Sequence, residues 1–359
     1  MTSSLGISLS SPSWSAAVSA FCVGGLFGAN AASSVADARG RKLLLCLSAV
    51  ICVVGGMLQV SSGLLGGRPG QAVLALVGGR LVTGFGCGLA TVGVPLYLGE
   101  IAPSRLRGAF GALNQLSICA GMMCSALLTQ VGLVQLVGLA FVPESPRWQL
   151  AKQREQQAAR SLRSLRSSDE EVEADMGELK RDLESSDSGT EYGIAKLFST
   201  PSLKLPLAIA FSMMIGQQWS GINAVFFYST SFFAAAGLSN PVLATLLASA
   251  LNLLAMLLAV PLMERVGRKR LLQLGAKGML ASGLLLCSVL SAKALSAPFA
   301  PMLNSLSVLA VLLYVCAFEV GPGPIPWQIG SEIFPEAPRA SAMSLAAALN
   351  WGCNAAIGL

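Results

Sequence analysis

The 359-residue chain is 53% hydrophobic and only 12% charged, with a mean hydropathy of +0.66, where a soluble domain carries roughly 25% charge. It has no histidine, the commonest metal ligand and general base, and its nine cysteines lie scattered through apolar runs without a CxxC pair. An enzyme buried in the membrane, a disulfide framework and a metal site are therefore not expected, and no cofactor is implied. What remains is an all-α polytopic membrane protein whose net charge of +6 reflects basic cytoplasmic loops and gives no ground for a nucleic-acid partner.

Residues 1–12 are polar and uncharged, without the basic start of a signal peptide. Apolar spans are expected at about 14–36, 43–62 and 72–99. Basic clusters recur at 39–42, 105–107 and 265–270, while the loops between them hold only Arg68 or Lys293. The positive-inside rule places the clusters in the cytoplasm and the N-terminus outside. Residues 109–142 then form 34 uncharged positions between two cytoplasmic flanks. An even number of crossings is required there, yet two helices need about 40 residues. A deletion of roughly half a helix is the simplest reading, with a re-entrant pair or one tilted helix as alternatives.

Residues 143–200 turn polar, with nine basic against eleven acidic side chains between Arg147 and Lys196. Short amphipathic helices beneath the membrane are expected, although disorder fits 167–188 equally well. Further spans follow at about 205–238, 241–263, 271–290 and 306–330, and a last one begins near 341.

The chain contains an internal repeat. Asp37-Ala-Arg-Gly-Arg-Lys42 is echoed by Glu264-Arg-Val-Gly-Arg-Lys269, and Glu100-Ile-Ala-Pro-Ser-Arg-Leu-Arg107 by Glu332-Ile-Phe-Pro-Glu-Ala-Pro-Arg339. Their offsets, 227 residues from 37 to 264 and 232 from 100 to 332, are nearly equal, which marks a duplicated unit. Counting spans against the repeat predicts a symmetric protein of twelve helices. This chain is expected to lack the first, the last, part of the eleventh and much of the fifth-to-sixth region. The expected division is an N-terminal helical bundle at 1–142, a cytoplasmic linker at 143–200 and a C-terminal bundle at 201–359.

Polar side chains inside the spans carry the functional signal. Residues 216–230 read Gly-Gln-Gln-Trp-Ser-Gly-Ile-Asn-Ala-Val-Phe-Phe-Tyr-Ser-Thr. Gln217, Gln218 and Asn223 must face other helices or a cavity, because an unpaired amide in hydrocarbon costs several kcal/mol. Amides that donate and accept suit the hydroxyls of a neutral polyol, although a single such residue serves equally to hold helices together. Gly221 can loosen the helix. Asn252 is a lone amide among Leu, Ala and Met, and Glu319 sits near mid-span, where an ionisable group is a functional candidate, with a structural role as the alternative. Gly321, Pro322, Gly323, Pro324 and Pro326 break helical hydrogen bonding and suit a bending gate.

These motifs, with Gly79-Arg80, Tyr97-Leu-Gly-Glu100, Pro143-Glu-Ser-Pro-Arg147, Phe318-Glu-Val-Gly-Pro-Gly-Pro-Ile-Pro-Trp327 and Asn350-Trp351, resemble the sugar porter family of the major facilitator superfamily, especially facilitative glucose transporters. The resemblance covers nearly the whole chain. It implies the major facilitator fold of two pseudo-symmetric helical bundles, here incomplete. It implies substrate-binding roles for Gln115, Gln217, Gln218, Ile222, Asn223, Asn252, Glu319, Trp327 and Asn350. It also implies a gating network of Arg39, Arg41, Glu100, Arg107, Glu144, Glu264, Arg268, Glu332 and Arg339 that latches the two halves. The expected activity is facilitated transport of a hexose by alternating access, with a sugar and the lipid bilayer as partners and the plasma membrane, or an internal one, as location. Oligomeric state is left open.

Two departures bear on that expectation. Met213-Met-Ile-Gly216 stands where glucose-selective members carry Gln-Leu-Ser, and the absent first helix is where proton-coupled members hold their carboxylate. A proton-coupled sugar symporter is the first alternative. A non-transporting fragment or sensor-like relative is the second.

Overall fold

The structure is a computed structural model, which describes residues 11–65, 68–103, 107–127, 131–185, 193–235, 240–295 and 300–358. All regular structure among these residues is helical. The chain opens with three long helices, α1 (Ser11–Arg39), α2 (Arg41–Leu64) and α3 (Pro69–Ile101), then α4 (Arg107–Leu127) and α5 (Val131–Phe141). Four shorter ones follow, α6 (Pro146–Ala151), α7 (Glu155–Leu165), α8 (Asp169–Ser185) and α9 (Ile194–Ser199). The rest comprises α10 (Lys204–Trp219), α11 (Ile222–Ala235), α12 (Pro241–Val266), α13 (Arg268–Leu295), α14 (Ala300–Val320), α15 (Ile325–Glu332) and α16 (Glu336–Gly358).

Six segments among the described residues are long and apolar enough to cross a bilayer: Ser15–Arg39, Arg41–Leu64, Gly70–Ile101, Leu243–Met263, Arg268–Lys293 and Met302–Gly330. Between α3 and α6, α4 has 21 residues but α5 only 11. At 1.5 Å per residue α5 is about 16 Å long, half the thickness of the hydrocarbon core. Residues 128–130 lie outside the described part.

The helices form two compact units. One comprises Met1–Phe110, Gly132–Ile215 and Gly330–Leu359; the other comprises Gly111–Val131 and Gly216–Ile329. The units do not follow chain order, because α16 packs along α1. There Trp351 lies edge-on to Phe21, ring centroids 5.4 Å apart, and Ser344 donates a hydrogen bond to the Ala29 carbonyl.

Within the first unit, α3 packs along both α1 and α2. The α1–α3 crossing brings backbone against backbone: a Cβ on Gly24 or Gly28 would strike the Leu81 or Phe85 carbonyl, and one on Gly84 or Gly88 the Phe21 or Gly25 carbonyl. These are two facing small-xxx-small lines, the usual device for close helix approach in lipid, where no hydrophobic force separates helix from lipid. On the other side of α3, a Cβ on Gly79 would lie 2.9 Å from the Gly55 carbonyl oxygen of α2.

In the second unit, α13 and α14 approach in the same manner; a Cβ on Gly275 would lie 2.7 Å from the Ala317 carbonyl oxygen. Ile222, Met279, Val315 and Phe318 form a buried apolar cluster beside it. Two helix breaks lie in or at the edge of this unit. Gly221, at φ +82°, separates α10 from α11 in a left-handed conformation that glycine adopts without cost. Residues 321–324 form turns between α14 and α15, where prolines remove amide donors. Both breaks fall where the sequence places them.

The 143–200 segment folds as short helices, and 169–185, for which disorder was an equal expectation, is helical. Ser168 accepts a hydrogen bond from the Glu171 amide at 3.2 Å, and the Glu171 carboxylate accepts one from the Ser167 amide at 3.2 Å, close to a capping box. Asp169, Glu170 and Glu171 fill the first turn, where negative charge is favoured. Arg166 then pairs with Asp175 at 2.6 Å and donates to the Ile101 carbonyl at 3.2 Å, joining the segment to the end of α3.

Candidate functional site

The second unit gathers most of the amides singled out in the sequence. Gln115 on α4 is buried, and its Nε2 donates to both oxygens of Glu319 on α14, at 3.3 and 3.2 Å. Glu319 is 1% exposed, and among the described residues no basic group pairs with it. Asn252 on α12 is fully buried; its Oδ1 accepts from the Cys119 thiol at 3.8 Å, and among the described residues its Nδ2, on the side of Glu319, has no partner at hydrogen-bond distance. Cys119 lies one helical turn beyond Gln115, 3.9 Å from its Nε2. Three helices thus bring an acid, two amides and a thiol to one place in the membrane-spanning part of the protein.

The two helix breaks are tied to each other. Gln217 Nε2 donates to the carbonyls of Pro322 and Gly323, at 2.9 and 2.6 Å, which the interrupted α14 leaves without helical partners. Tyr314 donates to the Ser220 carbonyl at the other break, and Ser220 Oγ donates to the Gln217 carbonyl at 2.6 Å. Gln218 is buried and accepts a hydrogen bond from Asn223 Nδ2. Trp327 on α15 is 9% exposed. Ile222 packs into the apolar cluster with Met279, Val315 and Phe318. Asn350 belongs to the first unit, where it is buried and its Nδ2 donates to the Met214 carbonyl at 3.5 Å.

Part of the expected charge network is assembled in the first unit. Glu100 Oε1 accepts from Arg41 Nε at 3.0 Å and pairs with its Nη2 at 2.9 Å; Glu100 Oε2 accepts from Ser145 Oγ. Arg41 Nη1 reaches the Ala36 carbonyl at 2.9 Å and Asp37 at 3.3 Å. Glu144 Oε1 accepts from the amides of Arg41 and Lys42, each at 3.0 Å, and of Ser145 at 2.8 Å. The carboxylate therefore caps the N-terminus of α2, where the helix dipole favours negative charge. Tyr97 closes the cluster by donating to the Pro143 carbonyl at 2.6 Å.

The remaining network residues are placed differently. Arg39 is exposed at the end of α1. Arg339 is half-buried and donates to the Phe334 carbonyl at 3.3 and 3.1 Å. Arg268 is half-buried beyond Gly267, and Glu332 is exposed. The side chains of Arg107 and Glu264 lie outside the described part. Sequence reasoning missed Ser145, whose place before Pro146 is a helix N-cap signature, and Cys119, whose only signal was its spacing of four from Gln115.

Gly40, between α1 and α2, has φ +96°, and a Cβ there would meet the Glu144 carboxylate and lie 3.3 Å from the Trp148 ring. Gly40→Ala is expected to cost about 2 kcal/mol or more, from left-handed strain plus displacement of Glu144. The loss would be read as a lower unfolding temperature of the purified protein.

Buried amides around a buried carboxyl, on apolar helices broken beside them, mark the class of polytopic membrane protein that holds polar chemistry inside its spans. The chain belongs to the Sugar (and other) transporter family, whose sequence pattern matches residues 2–359. It is 36% identical over 375 residues to solute carrier family 2, facilitated glucose transporter member 2 of Sus scrofa, covering 96% of this chain and 68% of that protein. It is 33% identical over 365 residues to member 3 of Gallus gallus, covering 96% and 71%. Among solved structures it resembles the proton:xylose symporter XylE bound to 6-bromo-6-deoxy-D-glucose, with TM-score 0.78 and 26% identity, over 96% of this chain and 77% of that one. The partially occluded inward open form of XylE from E. coli matches with TM-score 0.76 and 26% identity, over 96% and 79%. The protein is thus a multi-pass membrane protein with the major facilitator fold.

Proposed function

We propose that the protein carries a hexose across the membrane by alternating access, down the sugar's gradient. The observation that carries this reading is the buried set of Gln115, Asn252 and Glu319, with Gln217 bound to the break that follows Glu319. The site is rich in neutral donors and acceptors, and among the described residues no basic side chain pairs with its carboxyl, the chemistry that a polyol's hydroxyls match. The broken backbones beside it can bend without losing helical hydrogen bonds, as a gate requires. Trp327 offers an aromatic face for a pyranose ring, and the ion pairs and caps around Arg41, Glu100 and Glu144, all within the first unit, stiffen the helix ends that a cytoplasmic latch would need. The names of the related facilitated glucose transporters support the same substrate class.

Asn223→Ala, which removes one amide, is expected to raise the KM for D-glucose uptake about tenfold, the worth of one hydrogen bond. Uptake into proteoliposomes with unchanged kinetics sinks the site assignment. A proton-coupled mechanism is the second reading, favoured by the likeness to the proton:xylose symporter. Uptake that rises with an inward proton gradient selects it; indifference to the gradient selects the facilitated one.

A further inference from the structure

The sequence treats the nine cysteines as small hydrophobes, but two of them meet. Cys52 on α2 and Cys87 on α3 place their Sγ atoms 4.0 Å apart, both half-buried and unoxidised. Their approach follows from the glycine-lined packing of these helices: Cys52 Sγ would be 2.7 Å from a Cβ on Gly86, so only glycine leaves it room. Cys52 also lies 3.8 Å from the Thr83 carbonyl oxygen. The pair stands midway along α2, within the first unit.

We propose that Cys52 and Cys87 form a dithiol site for a soft divalent cation. A cation bonded to both sulfurs at about 2.3 Å would subtend an angle of roughly 120° across the observed gap, as in a three-coordinate ion. A linear two-coordinate ion would need the sulfurs to part by only about 0.6 Å, within reach of a small side-chain rotation. The Thr83 carbonyl is at hand as a third donor. Two thiolates select soft thiophilic metals over magnesium or calcium. Charge selects the valence: two thiols release two protons as one divalent ion binds, and the neutral product suits a low-dielectric interior, whereas a monovalent ion would leave a buried net charge. Among the described residues no group of three or more metal-ligating side chains assembles, so the site fits an ion content with two sulfur ligands rather than a resident zinc. Its occupation would pin α2 to α3.

The test loads the purified full chain with mercuric chloride, washes it with the monothiol glutathione and measures retained mercury by mass spectrometry. Singly bound metal on the other cysteines exchanges away; a chelated ion stays. The expected result is about one mercury per chain, released by dithiothreitol, and its loss in Cys52→Ser and Cys87→Ser, with retention in Cys46→Ser. Cys52→Ala and Cys87→Ala give the same reading if serine disturbs folding. Wild-type protein that retains no mercury after the monothiol wash, or folded variants that retain it undiminished, overturns the proposal.

Discussion

Gly84→Val is expected to abolish most of the folded protein, seen as loss of the monodisperse peak in detergent size-exclusion chromatography. A Cβ at Gly84 would run into the Phe21 carbonyl, and the crossing is held by three more glycines, Gly24, Gly28 and Gly88, each against opposing backbone. Backbone has no alternative rotamer to adopt, so the helices must part. Separation forfeits the dispersion contacts that hold helices together in lipid, at a cost of roughly 3 kcal/mol or more. Alanine at Gly84 already meets the same carbonyl and should differ from valine only in degree. Gly56 and Gly78 supply the control, since a Cβ at either has nothing within 4 Å. Gly78→Ala should be neutral or stabilise by about 0.5–1 kcal/mol, through helix propensity alone. If Gly84→Val and Gly78→Ala behaved alike, close packing of α1 on α3 would not be what holds this unit.

The contrast between those glycines shows what the sequence conceals. Hydropathy locates spans because burial in lipid acts on every residue of a span, and it placed α1, α2, α3, α12 and α13 well. The breaks at Gly221 and at 321–324 were legible because proline and glycine act on their own backbone. Which glycine faces a neighbour is decided by helix rotation, so Gly84 and Gly78 look alike on paper. The same limit applies to charges. Arg39 and Arg41 flank one glycine, but Arg39 ends α1 facing outward while Arg41 opens α2 facing inward. The amides were found because an isolated polar group in a span must find a partner, and the structure gave Gln115, Gln217 and Gln218 theirs. Cys119 escaped because a thiol is at home in an apolar run and announces nothing. Its part in the polar cluster appears only when α4, α12 and α14 are seen together.

Arg41→Ala should be the most damaging change among the charged residues. The guanidinium is 9% exposed, and it meets Glu100, itself 8% exposed, through two nitrogens. Removing it leaves a buried carboxylate supported, among the described residues, by the Ser145 hydroxyl, a situation that costs about 3–5 kcal/mol. The Ala36 carbonyl keeps the Gly40 amide but loses the guanidinium at the same time. Arg41→Lys keeps the charge but not the fork, and should recover only part of the loss. Adding Glu100→Gln to Arg41→Ala removes the orphaned charge, so the double variant should be more stable than the two single losses would predict together. Unfolding temperatures of the four proteins supply the cycle. Strict additivity would mean that the two side chains do not depend on each other, and that the Glu144 cap on α2, formed by backbone amides, holds this corner alone. Strong coupling would make the pair a cooperative joint between α2 and α3, able to form or break as one element, which is the property a latch at the cytoplasmic end of a carrier needs.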